Sequence, residues 1–205
     1  MKRHTLFLAL THPVFMPVYI MAYLLFGLNF LLYKTSDAIL LWSYFSVILT
    51  GFPLGVLFFL YQGKIIQSFE MPTLKERRYA LFTVAAAYFF VYYIFRDKSL
   101  FFLFQTFFLS GFIIAGTAFV ISFFWKISLH TLGFGFFLGF MIILSWTMDQ
   151  TSWMPMVISV LLAGLVGAQR IYSKAHTPAQ VYAGFLAGVT LTLIVFALTV
   201  LLPLS

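Results

Sequence analysis

The chain has 205 residues, of which 63% are hydrophobic and 8% charged, with a mean hydropathy of +1.05. Too few polar side chains remain to cover a folded surface in water, so a soluble domain is excluded. The formal net charge of +7 suggests anionic headgroups or phosphates as partners, although basic loops produce the same excess through topology. No segment resembles a nucleic-acid module, and the absence of Cys removes disulfide and thiolate chemistry.

A spanning helix needs roughly 20 apolar residues, which gives this length about seven crossings and no separate extramembrane domain. The start, Met1-Lys2-Arg3-His4, is basic like a signal peptide. The apolar run behind it carries Pro13 and Pro17 and lacks a small-residue cleavage site, so it reads as a retained first span. Seven stretches follow from the polar breaks: Pro13 to Tyr33, Ala38 to Tyr61, Tyr79 to Phe95, Leu100 to Trp125, Leu132 to Trp146, Trp153 to Ala168 and Pro178 to Leu202. The third, fifth and sixth are short, so six crossings become the alternative if one pair forms a re-entrant or tilted hairpin. None alternates like a barrel strand. The fold class is therefore all-α, a polytopic transmembrane helix bundle in one domain over 1–205. Its 28 Phe, 11 Tyr and 4 Trp suit lipid-facing and interfacial positions. Gly135 with Gly139, Gly164 with Gly167, and Gly184 with Gly188 have the spacing of close helix contacts, and the fifth and seventh spans are expected to pack tightly.

With seven spans, one face holds Lys2, Arg3, Lys64, Lys75, Arg77, Arg78, Lys126, Arg170 and Lys174 against Glu70 and Glu76, together with all four histidines. The other holds Lys34, Arg96 and Lys98 against Asp37, Asp97 and Asp149. All of the net charge thus falls on one side, which the positive-inside rule makes cytoplasmic. Phosphate-binding residues would inflate that count for a reason unrelated to topology, which weakens the lean.

Three segments on the basic face carry polar chemistry. In 72–79, Thr73 and Glu76 have capping-box spacing, and Lys75 and Arg78 share a helical face. The segment 126–131 contains Ser128 and His130. The third, 169–180, contains Arg170, His176 and Gln180. Phosphate-ester chemistry needs donors around the nonbridging oxygens, an in-line nucleophile and an acid for the leaving oxygen. Arg78, Arg170, Lys75 and Ser128 are candidate donors; His130 and His176 are candidate nucleophile and acid.

In that order the segments resemble the three motifs of the type 2 phosphatidic acid phosphatase superfamily. Arg78-Tyr79 stands where the family has Arg-Pro, and Ile127-Ser128-Leu129-His130 where it has Pro-Ser-Gly-His. Arg170 is followed by five residues and then His176, as in the third motif. The early Thr11-His12-Pro13 with Pro17 is similar to the opening of bacterial members. The resemblance covers Lys75 to Gly188. It implies that His176 is the nucleophile forming a phosphohistidine, that His130 protonates the leaving group, and that Arg78, Arg170, Ser128 and Lys75 cradle the phosphoryl oxygens. No metal or other cofactor is implied. The substrate would be a membrane lipid phosphate, phosphatidate-like or a polyprenyl (di)phosphate, and the location a bacterial inner membrane. The chain departs from the pattern at Met71, where a Lys is expected, at Ile127 and Leu129, and at Gln180, which stands in place of the Asp that orients the nucleophilic His.

Plainer readings stand beside these. Thr177 to Gln180 is a good helix start, which would make Gln180 structural. Lys75, Arg77 and Arg78 suit interfacial anchoring, and His4 and His12 read as solvated loop residues. At the level of function, the rival is a noncatalytic anionic-lipid binding or transport protein of the same fold.

Overall fold

The computed structural model describes residues 10–28, 34–69, 71–96, 102–148 and 153–201. Lys2, Arg3, His4, Glu70, Asp97, Lys98 and Asp149 lie outside them. The described chain is a bundle of seven helices: α1 (Pro13–Gly27), α2 (Thr35–Gln62), α3 (Leu74–Phe95), α4 (Phe102–Ile121), α5 (Leu129–Thr147), α6 (Trp153–Tyr172) and α7 (Pro178–Leu201). Six of these, α2 to α7, are long and apolar enough to cross a membrane, so the protein is an integral membrane protein of the expected class. The described part of α1, 15 residues, would rise only ~22 Å, short of a hydrocarbon core of roughly 30 Å.

The three stretches that looked short are complete helices. Helix α3 begins at Leu74 rather than Tyr79, α5 at Leu129, and α6 runs on to Tyr172. In each case a polar cluster at the membrane end is the helix's own terminal turn, so no re-entrant hairpin is needed. The start of α3 is the expected capping box: Glu76 N–H donates to Thr73 Oγ1 at 3.3 Å and Thr73 N–H to Glu76 Oε2 at 3.3 Å.

Helices α5 and α7 pack backbone to backbone through Gly135, Gly139, Gly184 and Gly188. A Cβ on Gly184 would fall 2.6 Å from Ser128 O, and one on Gly139 would fall 2.8 Å from Thr192 Cβ. Thr131 Oγ1 seals this contact by donating to Val181 O at 2.9 Å. Gly167 abuts Val181, whereas Gly164 faces open space. Helix α1 leans on α5, where Gly133 leaves room for Pro13 and Met16, and is tied to α2 by Thr50 Oγ1 donating to Val14 O at 2.7 Å. The turn of α2 that makes this bond, Val47–Gly51, is π-helical, and Pro53 follows it. Proline's ring collides with the carbonyl four residues earlier, and a wider turn relieves that clash.

Aromatics serve both environments. Phe82, Phe124 and Trp146 face outward as expected, but the centre of the bundle is also built from Phe: Phe107 and Phe136 stack at 5.3 Å, with Phe108 and Phe140 fully buried beside them. Phenylalanine rings fill wide inter-helix gaps while carrying no polar atom to satisfy in lipid.

Candidate functional site

Three helix junctions meet at one end of the bundle: the start of α3, the α4–α5 connection and the α6–α7 connection. Each is linked to the next by a hydrogen bond. Arg77 Nη2 donates to Ile127 O at 2.6 Å, and Ser128 N–H donates to Gln180 O at 3.2 Å. The segments singled out from the sequence therefore share one locus, held by one side-chain bond and one main-chain bond.

The α6–α7 connection places its two key residues together by a local rule. Lys174 takes a left-handed conformation (φ 55°), its N–H bonds to Ile171 O at 2.9 Å, and Ala175 N–H bonds to Arg170 O at 3.0 Å. This is a Schellman stop, here with Lys where Gly is usual. The turn carries the chain back over the end of α6, so that His176 N–H also bonds to Arg170 O at 3.1 Å. A buried Arg170 and a buried His176 are side by side as a result.

The next residues fix the His176 ring. Thr177 N–H donates to Gln180 Oε1 at 3.2 Å, and Gln180 N–H donates to Thr177 Oγ1 at 3.4 Å, a reciprocal cap at the start of α7. Because the Thr177 N–H requires an acceptor, the amide of Gln180 must present its oxygen there. The same oxygen lies 3.0 Å from His176 Nδ1. Two acceptors cannot share a proton that neither carries, so Nδ1 is the protonated nitrogen and Nε2 keeps its lone pair. Gln180 is thus a cap and an orienter at once, and the two readings of it from sequence are compatible. Burial, opposed by the Gln180 bond and reinforced by the charges of Arg77, Arg170 and Lys126, lowers the His176 pKa from 6.5 to about 4. The ring is neutral at pH 7.

His130, in the first turn of α5, is buried within electrostatic reach of His12, Arg170, His176 and Arg77. Ser128 is fully buried and its Oγ has no hydrogen-bond partner; Arg77 is 3% exposed and its Nη1 has none. Buried polar atoms are rarely left so, because each costs about 1–3 kcal/mol. Two acidic side chains, Asp37 and Glu76, lie among the described residues. Glu76 has both oxygens on backbone N–H groups, those of Gln67 and Thr73. The described site is cationic, and two of the residues that build it carry buried polar atoms without a partner.

The other two residues expected in the cradle, Arg78 and Lys75, stand at the same end of the bundle with different surroundings. The Arg78 guanidinium sits over the Phe123 ring, 4.5 Å from its centroid, and Lys75 is exposed. Arg77, read from sequence as an anchor, is the arginine of α3 that reaches the histidines. His12, read as a solvated loop residue, is also in the cluster: its ring meets that of His130 edge to face at 5.2 Å and 81°. No spacing signal separated Arg77 from Arg78, because the choice depends on the end of α4, which offers Ile127 O to one and the Phe123 ring to the other. For His12 the sequence offered the Thr11-His12-Pro13 opening, but not its place beside His130. Comparison with known proteins returns no matching family model, curated protein or solved structure.

Proposed function

We propose that the protein is an integral-membrane phosphatase or diphosphatase that removes phosphate from a phosphatidate-like or polyprenyl (di)phosphate lipid through a phosphohistidine. The observation that carries this reading is the pairing of orphaned, buried donors on Arg77 and Ser128 with a neutral His176 whose Nε2 lone pair is free. An oxyanion held by those donors and by Arg170 would place its phosphorus near that lone pair.

Nε2 of His176 attacks phosphorus, the P–O bond to the lipid breaks, and the departing oxygen takes a proton from the His130 imidazolium. The new phosphoimidazolium keeps its proton on Nδ1, which donates to Gln180 Oε1. Neutral His130 then deprotonates a water that attacks phosphorus, the P–N bond breaks, and inorganic phosphate leaves with both histidines restored. The charge that a phosphate dianion brings between Arg77 and Arg170 is what a protonated His130 needs as a counter-ion.

A specific observation favours a second reading. Gln180 supplies a hydrogen bond but no negative charge for the phosphoimidazolium, which suits a protein that holds an anionic headgroup without cleaving it. Purified protein in detergent, given phosphatidate and undecaprenyl diphosphate, separates the two. Phosphate release that His176→Ala abolishes supports the enzyme; equal release from both proteins, or none from either, rejects it. By the positive-inside rule the site would face the cytoplasm.

A further inference from the structure

His12 precedes all three polar segments, yet its ring is packed against His130 and lies within electrostatic reach of Arg170. Its Nδ1 accepts the Val14 N–H at 3.3 Å and so caps the first turn of α1. A ring nitrogen that accepts carries no proton, which leaves the proton on Nε2. Burial first, and Arg170 second, lower its pKa from 6.5 to about 4, so the ring remains a neutral donor. One nitrogen is occupied by the fold; the other is a committed N–H.

His12 also borders a second feature, a cavity of about 100 Å³ among α1, α2, α3, α4 and α5. Its walls include Met16, Leu57, Val84, Ile114 and Phe136, and the Tyr88 ring, seated on Gly111, lies at the far side. From Leu129 to Phe136 the cavity follows α5 for seven residues, a depth of ~10 Å. Of its lining residues, His12 alone carries a charged or titratable nitrogen, and it is the one that also meets the His130 and Arg170 cluster. An apolar space bordered by the ring that also lies against the cationic cluster matches a phosphorylated amphiphile.

We propose that His12 is a substrate-binding residue at the junction of phosphate and hydrocarbon: its Nε2–H donates to a phosphate oxygen, and the first stretch of the lipid chain lies in the cavity beneath it. This rests on the reading of the site as one for a lipid phosphate, and not on its being catalytic.

The test exploits the two nitrogens of one ring. In the full chain, His12→Asn keeps an acceptor for Val14 N–H and removes the distal donor; His12→Gln removes the good cap and restores an N–H at the distal position. Equilibrium binding of dioleoyl phosphatidate in dodecyl maltoside micelles is measured for each, alongside thermal unfolding. Binding should fall about tenfold in His12→Asn, the size of one hydrogen bond to a charged group, with an unchanged Tm. His12→Gln should bind within about threefold of wild type despite a lower Tm. A purely structural His12 gives the reverse pattern, and that pattern overturns the proposal, as does a wild-type protein that does not bind phosphatidate. Val84→Phe, which fills the cavity, should weaken phosphatidate and spare glycerol 3-phosphate; equal effects on both would remove the cavity from the proposal. Weakened binding in His12→Asn, in a protein that releases no phosphate, leaves His12 in place and rejects only catalysis.

Discussion

At the scale of single residues, what each atom can do depends on which partners already occupy it. Gln180 Oε1 is held by Thr177 N–H and is therefore the acceptor for His176. Gln180→Glu keeps the reach and adds the charge that a phosphoimidazolium lacks, so it should raise kcat. Gln180→Asp is a methylene shorter and cannot keep both bonds, so it should lose stability without that gain; steady-state phosphate release from the two variants checks this. Arg77 and Arg78 make a second contrast. Arg77→Ala removes a buried donor and should lower kcat/KM by about 10²- to 10³-fold, the cost of one missing oxyanion donor. Arg78→Ala removes a contact with Phe123 worth roughly 0.5–1 kcal/mol and should leave kcat/KM near wild type. Adjacent positions on a helix point about 100° apart. Which arginine turns inward depends on what the end of α4 offers each: Ile127 O for one, the Phe123 ring for the other. That is tertiary information, absent from the spacing of Lys75 and Arg78. The histidines add a pH dependence. Both His12 and His176 have folded pKa values lowered to about 4, so between about pH 6.5 and 4 the unfolded chain binds more protons than the folded one. Their contribution to stability is full above 6.5 and is lost as pH falls to about 4. Thermal unfolding in detergent at pH 7.5, 5.5 and 4 should show a declining Tm, and a flat profile would contradict the burial of both rings.

At the scale of elements, sequence reading located all seven helices but cut three of them where polar residues began. Those residues, Leu74 to Arg78, Leu129 to Thr131 and Gln169 to Tyr172, are terminal turns whose side chains build the site. Hydropathy ends a span where lipid-compatible composition ends, while a helix ends where its hydrogen bonds do. The glycine spacing was legible for α5 and α7, where backbone must meet backbone. It was misleading for Gly164, because a small residue in a membrane helix need not face a partner. Gly188→Ala would drive a Cβ into the backbone of α5 at Leu132 and should cost about 1–3 kcal/mol. It should also lower phosphate release, since α7 carries the Gln180 carbonyl that holds Ser128 N–H. Gly164→Ala has space around it and should change stability by no more than about 0.5 kcal/mol. Unfolding midpoints of the two variants decide between this packing and a looser bundle.

At the scale of the whole molecule, the described charges separate by bundle end as the sequence count anticipated. Lys64, Lys75, Arg77, Arg78, Lys126, Arg170 and Lys174 lie on the end where α3, α5 and α7 begin; Lys34, Asp37 and Arg96 lie on the other. The resulting site is a cationic locus in a largely apolar protein, and it was legible because charge is costly in a membrane and therefore sparse. What could not be read was the contribution of α1, which brings His12 across to His130 through packing on Gly133 and Thr50. The claim that joins these scales is that His176 Nε2 becomes covalently phosphorylated. Rapid acid-free quenching of the purified protein with radiolabelled phosphatidate, followed by peptide mapping, tests it. An acid-labile phosphate is expected on the peptide containing His176, formed in wild type and Gln180→Glu and absent from His176→Ala. Turnover that proceeds without any such label, or label that persists in His176→Ala, would contradict it.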